Sequence, residues 1–377
     1  MTLSNSSKNF SFVMIGRIIS SALQAIFYLI FAAMLQPDSY GNLSYLIALA
    51  GTISTISRIG LNYTVTVYQA KNNSELSNQI NVLALITTSI ASVILLTVNI
   101  TVSILCFSMS LFLMNIHNLM GLKEYKKYMS IDIIKGILIV VVPILFYFIL
   151  EIPGILLGMS ISYLVCSFHF FKFLHFNTNQ FKIITSNYKV LIHNFGVDFS
   201  ANATKFVDKL IIVPILGFTY TGIYQLNIQI LFGLEMLPLA LHSFLLSEES
   251  SGKKHKKISY LVILASGIVA LLVIILGPFF INELFLNYSE GIYSLQIMIL
   301  SLIPLSIGAI LNAKLQAKES TTVGFSAIVR IGSLLILVGI LGNLYGLTGL
   351  SFAVLISVIL NTIVLYALYT RNSRRLP

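Results

Sequence analysis

The residues with chemistry in them are few, and they stand where charge is costly. Residues 193–222, HNFGVDFSANATKFVDKLIIVPILGFTYTG, put Asp198, Lys205, Asp208 and Lys209 inside an apolar chain long enough to cross a bilayer. Other apolar stretches contribute Arg17, Arg58, Asp132, Lys135, Glu235 and Arg330. Charges at such depth face protein or a wet cavity and mark substrate or ion pathways. Bases outnumber acids, so the cavity they line is expected to attract an anion, with arginine holding a phosphate bidentately and lysine acting as a point charge. Arg17, Arg58, Lys135, Lys205, Lys209 and Arg330 are the candidate substrate-binding cations. Asp198, Asp208 and Glu235 are the candidates for a gate or for coupling to H+ or Na+.

Spacing suggests how some of these charges neutralise one another. Asp132 and Lys135 are three apart, as are Lys205 and Asp208, so each pair can meet on one helix face. Lys135 and Arg17 also lie near enough to a span end to snorkel. Arg58, Glu235 and Arg330 have no opposite charge within a turn, and an Arg58 to Glu235 pair from two helices is expected. Ser20, Ser21, Gln24, Ser200, Asn202, Thr204, Asn227 and Gln229 either line a wet groove or bond between helices.

The elements that must hold these groups are membrane helices. In 377 residues, 57% are hydrophobic and only 10% charged, and the mean hydropathy is +0.92; a water-soluble globule carries about 25% charged residues. The apolar runs have the length of helices crossing a core of about 30 Å and lack the alternation of a barrel. An all-α integral membrane protein is expected, with spans at 11–35, 42–70, 79–99, 102–121, 129–150, 154–175, 190–217, 221–246, 258–281, 292–312, 321–343 and 346–370. That is about twelve transmembrane helices. The weakest division is the third from the fourth, marked only by Thr97, Asn99 and Thr101.

Loop charge decides it, since cytoplasmic loops carry the lysine and arginine excess. With twelve spans, every base outside them, from Lys8 and Lys71 through Lys123, Lys126 and Lys127 to Lys253, Lys254 and Arg371, falls on one side. The other side holds Asp38, Glu151, Glu283 and Glu290. Eleven spans would scatter the lysines over both faces, so both termini are expected in the cytoplasm. The net charge of +10 is thereby topological, and no nucleic-acid module is present. The dense cluster at 253–257 suits anionic headgroups. Cys106 and Cys166 have no metal or redox spacing, the histidines form no ligand-spaced pair, and no P-loop occurs, so neither metal nor cofactor is expected. The amino terminus reads as a retained first helix.

The chain also repeats itself. Leu35-Gln-Pro-Asp-Ser-Tyr-Gly41 corresponds to Leu216-Gly-Phe-Thr-Tyr-Thr-Gly222 at an offset of 181, and Lys123-Glu124, Lys135, Gly154 and Ser162 fall on Lys318-Glu319, Arg330, Gly349 and Ser357 at an offset of 195. Two six-helix lobes, 1–176 and 190–377, joined by a cytoplasmic linker at 177–189, follow from this, as a parallel-topology repeat.

The PDSYG loop, the polar seventh helix FVDKLIIVPILG followed by TGIY, SEES after the eighth helix and the closing YGLTGLSFAVLIS together resemble the polysaccharide flippases of the multidrug/oligosaccharidyl-lipid/polysaccharide exporter superfamily. The resemblance implies two helical bundles around a central cavity. It further implies a transporter, not an enzyme, that carries a polyprenyl-phosphate-linked oligosaccharide from the cytoplasmic to the outer leaflet by alternating access, among membrane lipids. A cation-coupled multidrug exporter of the same superfamily is the alternative. A polytopic glycosyltransferase is disfavoured because the outer loops are short.

Overall fold

The computed structural model describes residues 2–175, 182–236, 238–239, 241–242, 245, 256–317 and 323–373, and its regular structure among these is helical throughout. The helices are α1 (Thr2–Met34), α2 (Pro37–Arg58), α3 (Leu61–Ala70), α4 (Ser74–Leu96), α5 (Ile100–Gly121), α6 (Tyr125–Cys166), α7 (Lys182–Leu234), α8 (Lys256–Leu284), α9 (Ile292–Ile299), α10 (Leu302–Ala317) and α11 (Val323–Ser373). Outside the described residues lie 176, 177–181 of the expected linker, the SEES stretch with Lys253 and Lys254, and Lys318 and Glu319.

These elements account for twelve spans. The uncertain division between the third and fourth is sharp: Thr97 ends α4, and Asn99 starts α5 by accepting hydrogen bonds from the Thr101 and Val102 amides through its side chain, which satisfies donors that a helix start leaves open. The second span is α2 plus α3, bent by 49° at Ile59 and Gly60, whose φ angles are 51° and 73°. Three long helices each carry a left-handed residue part-way, Glu151 in α6, Gly217 in α7 and Gly346 in α11, and each makes two spans.

Those breaks reveal the repeat in the backbone itself. Glu151 has φ 53° and ψ −133°; Gly346, 195 positions on, has φ 58° and ψ −136°. Three residues after each break a glycine lets the chain fold back on itself. A Cβ on Gly154 would stand 2.1 Å from the Phe146 carbonyl oxygen, and one on Gly349 would stand 1.9 Å from that of Leu341. Phe146 and Leu341 are separated by the same offset, so sequence duplication has become conformational duplication.

The described chain forms two compact units: unit 1 comprises Met1–Phe27 and Leu46–Phe206, and unit 2 comprises Tyr28–Tyr45 and Val207–Pro377. In unit 1, Leu61 and Val65 of α3, Ile80 and Leu83 of α4, Leu111 and Met114 of α5 and Leu191 of α7 form one buried cluster. Lipid supplies no hydrophobic drive between helices, so polar side chains add the specificity. Asn81 and Asn118, both fully buried, exchange amide hydrogen bonds of 2.8 and 3.1 Å, and Gln69 donates to Asn118. In unit 2, Leu241, Leu245, Ile310 and Ala313 pack together. Phe148, Ile149, Leu264 and Ile275 instead expose more than half of their surface, as lipid-facing residues do.

Candidate functional site

Each unit holds a fully buried charge, Arg58 in unit 1 and Asp208 in unit 2. Arg58, the last residue of α2, is fully buried, and its Nη2 stands 3.1 Å from Asp198 Oδ2 of α7. Its second terminal nitrogen, Nη1, donates to Ser54 Oγ at 2.6 Å, one turn back on the same helix, and Ser54 also bonds Ser110 of α5 at 2.8 Å. The remaining oxygen of Asp198 accepts from Asn202 Nδ2 at 3.0 Å. The expected Arg58 to Glu235 pair is therefore corrected: α7 passes the end of α2 and supplies Asp198 as the carboxylate that Arg58 takes. It reaches that position because Gly60, where the second span bends, has no side chain; a Cβ there would stand 2.3 Å from the Phe195 amide nitrogen. Asn194 secures the same edge by donating to Thr64 Oγ1 at 2.8 Å.

A second cluster in unit 1 follows the predicted spacing. Lys135 Nζ lies 3.2 Å from Asp132 Oδ1, and Ser20 of α1 joins both, accepting from Lys135 at 2.6 Å and donating to Asp132 at 3.0 Å. The ammonium also sits 5.5 Å from the centre of the Phe112 ring, a cation–π distance. Ser20 thus bonds between helices and does not line a groove. Arg17, one turn before it, exposes its side chain and makes no ion pair with any described carboxylate. It lies six residues, about 9 Å along the helix, inside the apolar stretch that begins at Ser11. Lys205 is likewise exposed.

In unit 2, Asp208 is fully buried. It takes Lys209, whose Nζ is 3.0 Å from Oδ1, and the Tyr224 hydroxyl, which donates to Oδ2 at 2.8 Å. The expected Lys205 to Asp208 pairing is corrected accordingly: the neighbouring lysine folds onto the carboxylate on the buried side of α7. Arg330 of α11 reaches Glu235 at 3.7 Å, a longer contact between side chains that are 30% and 16% exposed. Asn227 donates to the Gly291 carbonyl at 3.0 Å. The side chains of Ser200 and Thr204 lie outside the described ones.

Sequence reasoning missed Ser54 and Tyr224. Ser54 had a signal, its spacing of one turn from Arg58. Tyr224 had none, because it meets Asp208 only once the chain has turned at Gly217.

The intramembrane charges now sort by unit. Among the described ion pairs, unit 1 matches Arg58 and Lys135 with Asp198 and Asp132 and leaves Arg17 over, while in unit 2 Lys209 and Arg330 are matched by Asp208 and Glu235. The basic excess belongs to unit 1.

No family model and no curated protein matches this chain by sequence. Solved structures do match. Lipid II flippase MurJ in an inward closed conformation superposes with a TM-score of 0.76 at 14% identity, over 94% of this chain and 87% of that one. An inward-facing multidrug resistance MATE family transporter of the MOP superfamily matches with a TM-score of 0.67 at 14% identity, over 97% and 100%. A MOP superfamily transporter from Pyrococcus furiosus, described as having a binding pocket of reverse polarity, matches with a TM-score of 0.56 at 15% identity, over 97% and 95%. The chain is a multi-pass membrane protein with the fold of MOP superfamily transporters.

Proposed function

We propose that this protein is a transporter that moves a polyprenyl-phosphate-linked oligosaccharide from the cytoplasmic to the outer leaflet by alternating access between lobes 1–176 and 190–377. The observation that carries the reading is the basic excess of unit 1, above all Arg17, an exposed guanidinium inside the apolar stretch with no described carboxylate to satisfy it. In a low-dielectric enclosure a positive group without a counter-charge attracts an anion strongly, and a phosphate matches the fork of arginine. Arg58, Lys135, Lys209 and Arg330 are each paired with a carboxylate and act as positioning or gating groups. Asp198, Asp208 and Glu235 are then their partners, exchanging contacts as a proton or sodium ion enters.

The matching MATE transporter fold keeps a second reading in view, a cation-coupled multidrug exporter. Asp198 and Asp208, two buried carboxylates on one helix, are what such an exporter would use. The experiment that separates the two is loss of the gene and its complementation. The flippase reading expects lipid-linked saccharide to accumulate in the inner leaflet, relieved by the wild-type chain and not by Arg17→Gln, which inserts normally. Sensitisation to cationic dyes with no accumulation would replace it by the exporter.

A further inference from the structure

Three segments of unit 2 line one open pocket of about 350 Å³, near the lower end of the range of about 300–1,000 Å³ for small-molecule sites. Tyr220 comes from α7 just beyond Gly217, Glu290 and Tyr293 from the turn that opens α9, and Tyr345 and Thr348 from either side of the break at Gly346. The walls are fixed to one another by groups other than these. Ser294 donates to the Leu347 carbonyl at 3.5 Å and bonds Ser351, which ties α9 to α11. Asn227 of α7 holds the Gly291 carbonyl, and a Cβ on Gly291 would stand 2.4 Å from Ile223 Cγ2, so the turn lies flat on α7. Tyr288 anchors the same turn by donating to the Leu35 carbonyl at 3.0 Å.

Tyrosines at a membrane interface need no ligand to account for them. A belt does not account for a carboxylate among them, nor for their absence from the matching repeat. At an offset of 181 Tyr220 falls on Ser39, and at 195 Tyr345 falls on Leu150 and Thr348 on Pro153. The turn that carries Glu290 has no counterpart: seven residues separate α8 from α9, but only three separate α4 from α5. The chemistry of the pocket thus belongs to the second repeat and is not imposed by the shared backbone.

Among the described residues that line the pocket, Glu290 alone is charged. It is exposed and makes no ion pair with any described base. A bare carboxylate beside tyrosine rings attracts an ammonium group, through its charge and through the negative faces of the rings. On the charge topology these turns lie at the outer face, where the loops carry acids and no bases. Leu286 and Leu344, next to the walls in the chain, are 66% and 65% exposed and offer acyl chains an apolar rim.

We propose that this pocket binds the ammonium headgroup of an outer-leaflet lipid, with Glu290 as its counter-charge and Tyr220, Tyr293 and Tyr345 as aromatic walls. Neither choice of transported cargo bears on it.

Two arms test it on the full chain. In the first, the protein is reconstituted in nanodiscs of equal phosphatidylethanolamine and phosphatidylglycerol, and the lipid it retains is read by native mass spectrometry. The ammonium lipid is expected to be retained several-fold over the anionic one. Glu290→Gln, at an exposed position, should remove that preference, and Tyr293→Leu and Tyr345→Leu should each reduce it at least threefold while leaving the carboxylate in place. In the second arm, saturation transfer from the protein to choline in solution is compared with transfer to 3,3-dimethylbutanol, its neutral isostere. Choline is expected to receive at least tenfold more, and to lose that advantage with Glu290→Gln. No lipid preference, a preference that survives Glu290→Gln, or equal transfer to the neutral isostere overturns the site. Loss with Glu290→Gln but with neither tyrosine variant would mark simple repulsion of the anionic lipid, and overturns it too. Choline binding without any lipid preference replaces the lipid by a free organic ammonium.

Discussion

Arg58 and Asp198 lie 140 residues apart in the chain and 3.1 Å apart in the fold, with side chains 0% and 4% exposed. The pair ties the end of a bent span to α7, which carries four of the ten intramembrane charges, Asp198, Lys205, Asp208 and Lys209. Truncating one member strands the other in a low-dielectric site, at a cost of about 3–5 kcal/mol, whereas replacing both by apolar residues is close to neutral. Arg58→Met is thus expected to lower thermal stability sharply and Arg58→Met with Asp198→Leu to recover most of it. The chain contains no tryptophan, but Cys106 and Cys166 are free and buried, so a thiol-reactive dye reports unfolding directly. Equal losses in the single and double variants would show that the two residues are not coupled.

Ser20 bonds both members of the Lys135–Asp132 pair, and its removal leaves each one hydrogen bond short. Ser20→Ala is expected to cost about 1–3 kcal/mol, as much as many larger truncations, by the same dye assay. Ser20→Thr keeps the hydroxyl and should recover part of the loss. A Ser20→Ala variant as stable as the parent contradicts the shared bond.

The Glu235–Arg330 contact, at 3.7 Å, is longer than the 3.0 Å pair at Asp208, so it is expected to contribute the less of the two. Glu235→Gln should leave the melting temperature nearly unchanged. Tyr224→Phe, which removes a donor from the buried Asp208, should cost about 1–2 kcal/mol. The reverse ranking would mean that the buried cluster around Asp208 is not the tighter one.

Both termini are expected in the cytoplasm. A carboxy-terminal alkaline phosphatase fusion should be inactive and a fluorescent-protein fusion bright; an active phosphatase would invert the topology.

The amino-acid sequence by itself determined what depends on local pattern and solvent. Runs of apolar residues can satisfy their backbone in lipid as helices, and the loop lysines, all on one side only if the spans number twelve, favoured twelve spans over eleven. Asn99, read as a weak turn, is a helix cap because its short side chain reaches its own backbone. The repeat offsets were readable too, and they reappear in the paired φ and ψ of Glu151 and Gly346. Lys135 meets Asp132 because three residues on a helix bring side chains together.

Partners across spans were decided only by the tertiary structure. Arg58 takes Asp198 and not Glu235, Asp208 takes Lys209 and Tyr224, and nothing in the spacing of these residues encodes those choices. They depend on where a helix without a side chain at Gly60 lets another approach, and on the rotation of α7 about its axis. A shift of one residue in that rotation turns a helical side chain by about 100°. Hydropathy averages over this angle, so it shows that charges lie in the membrane but not which of them meet.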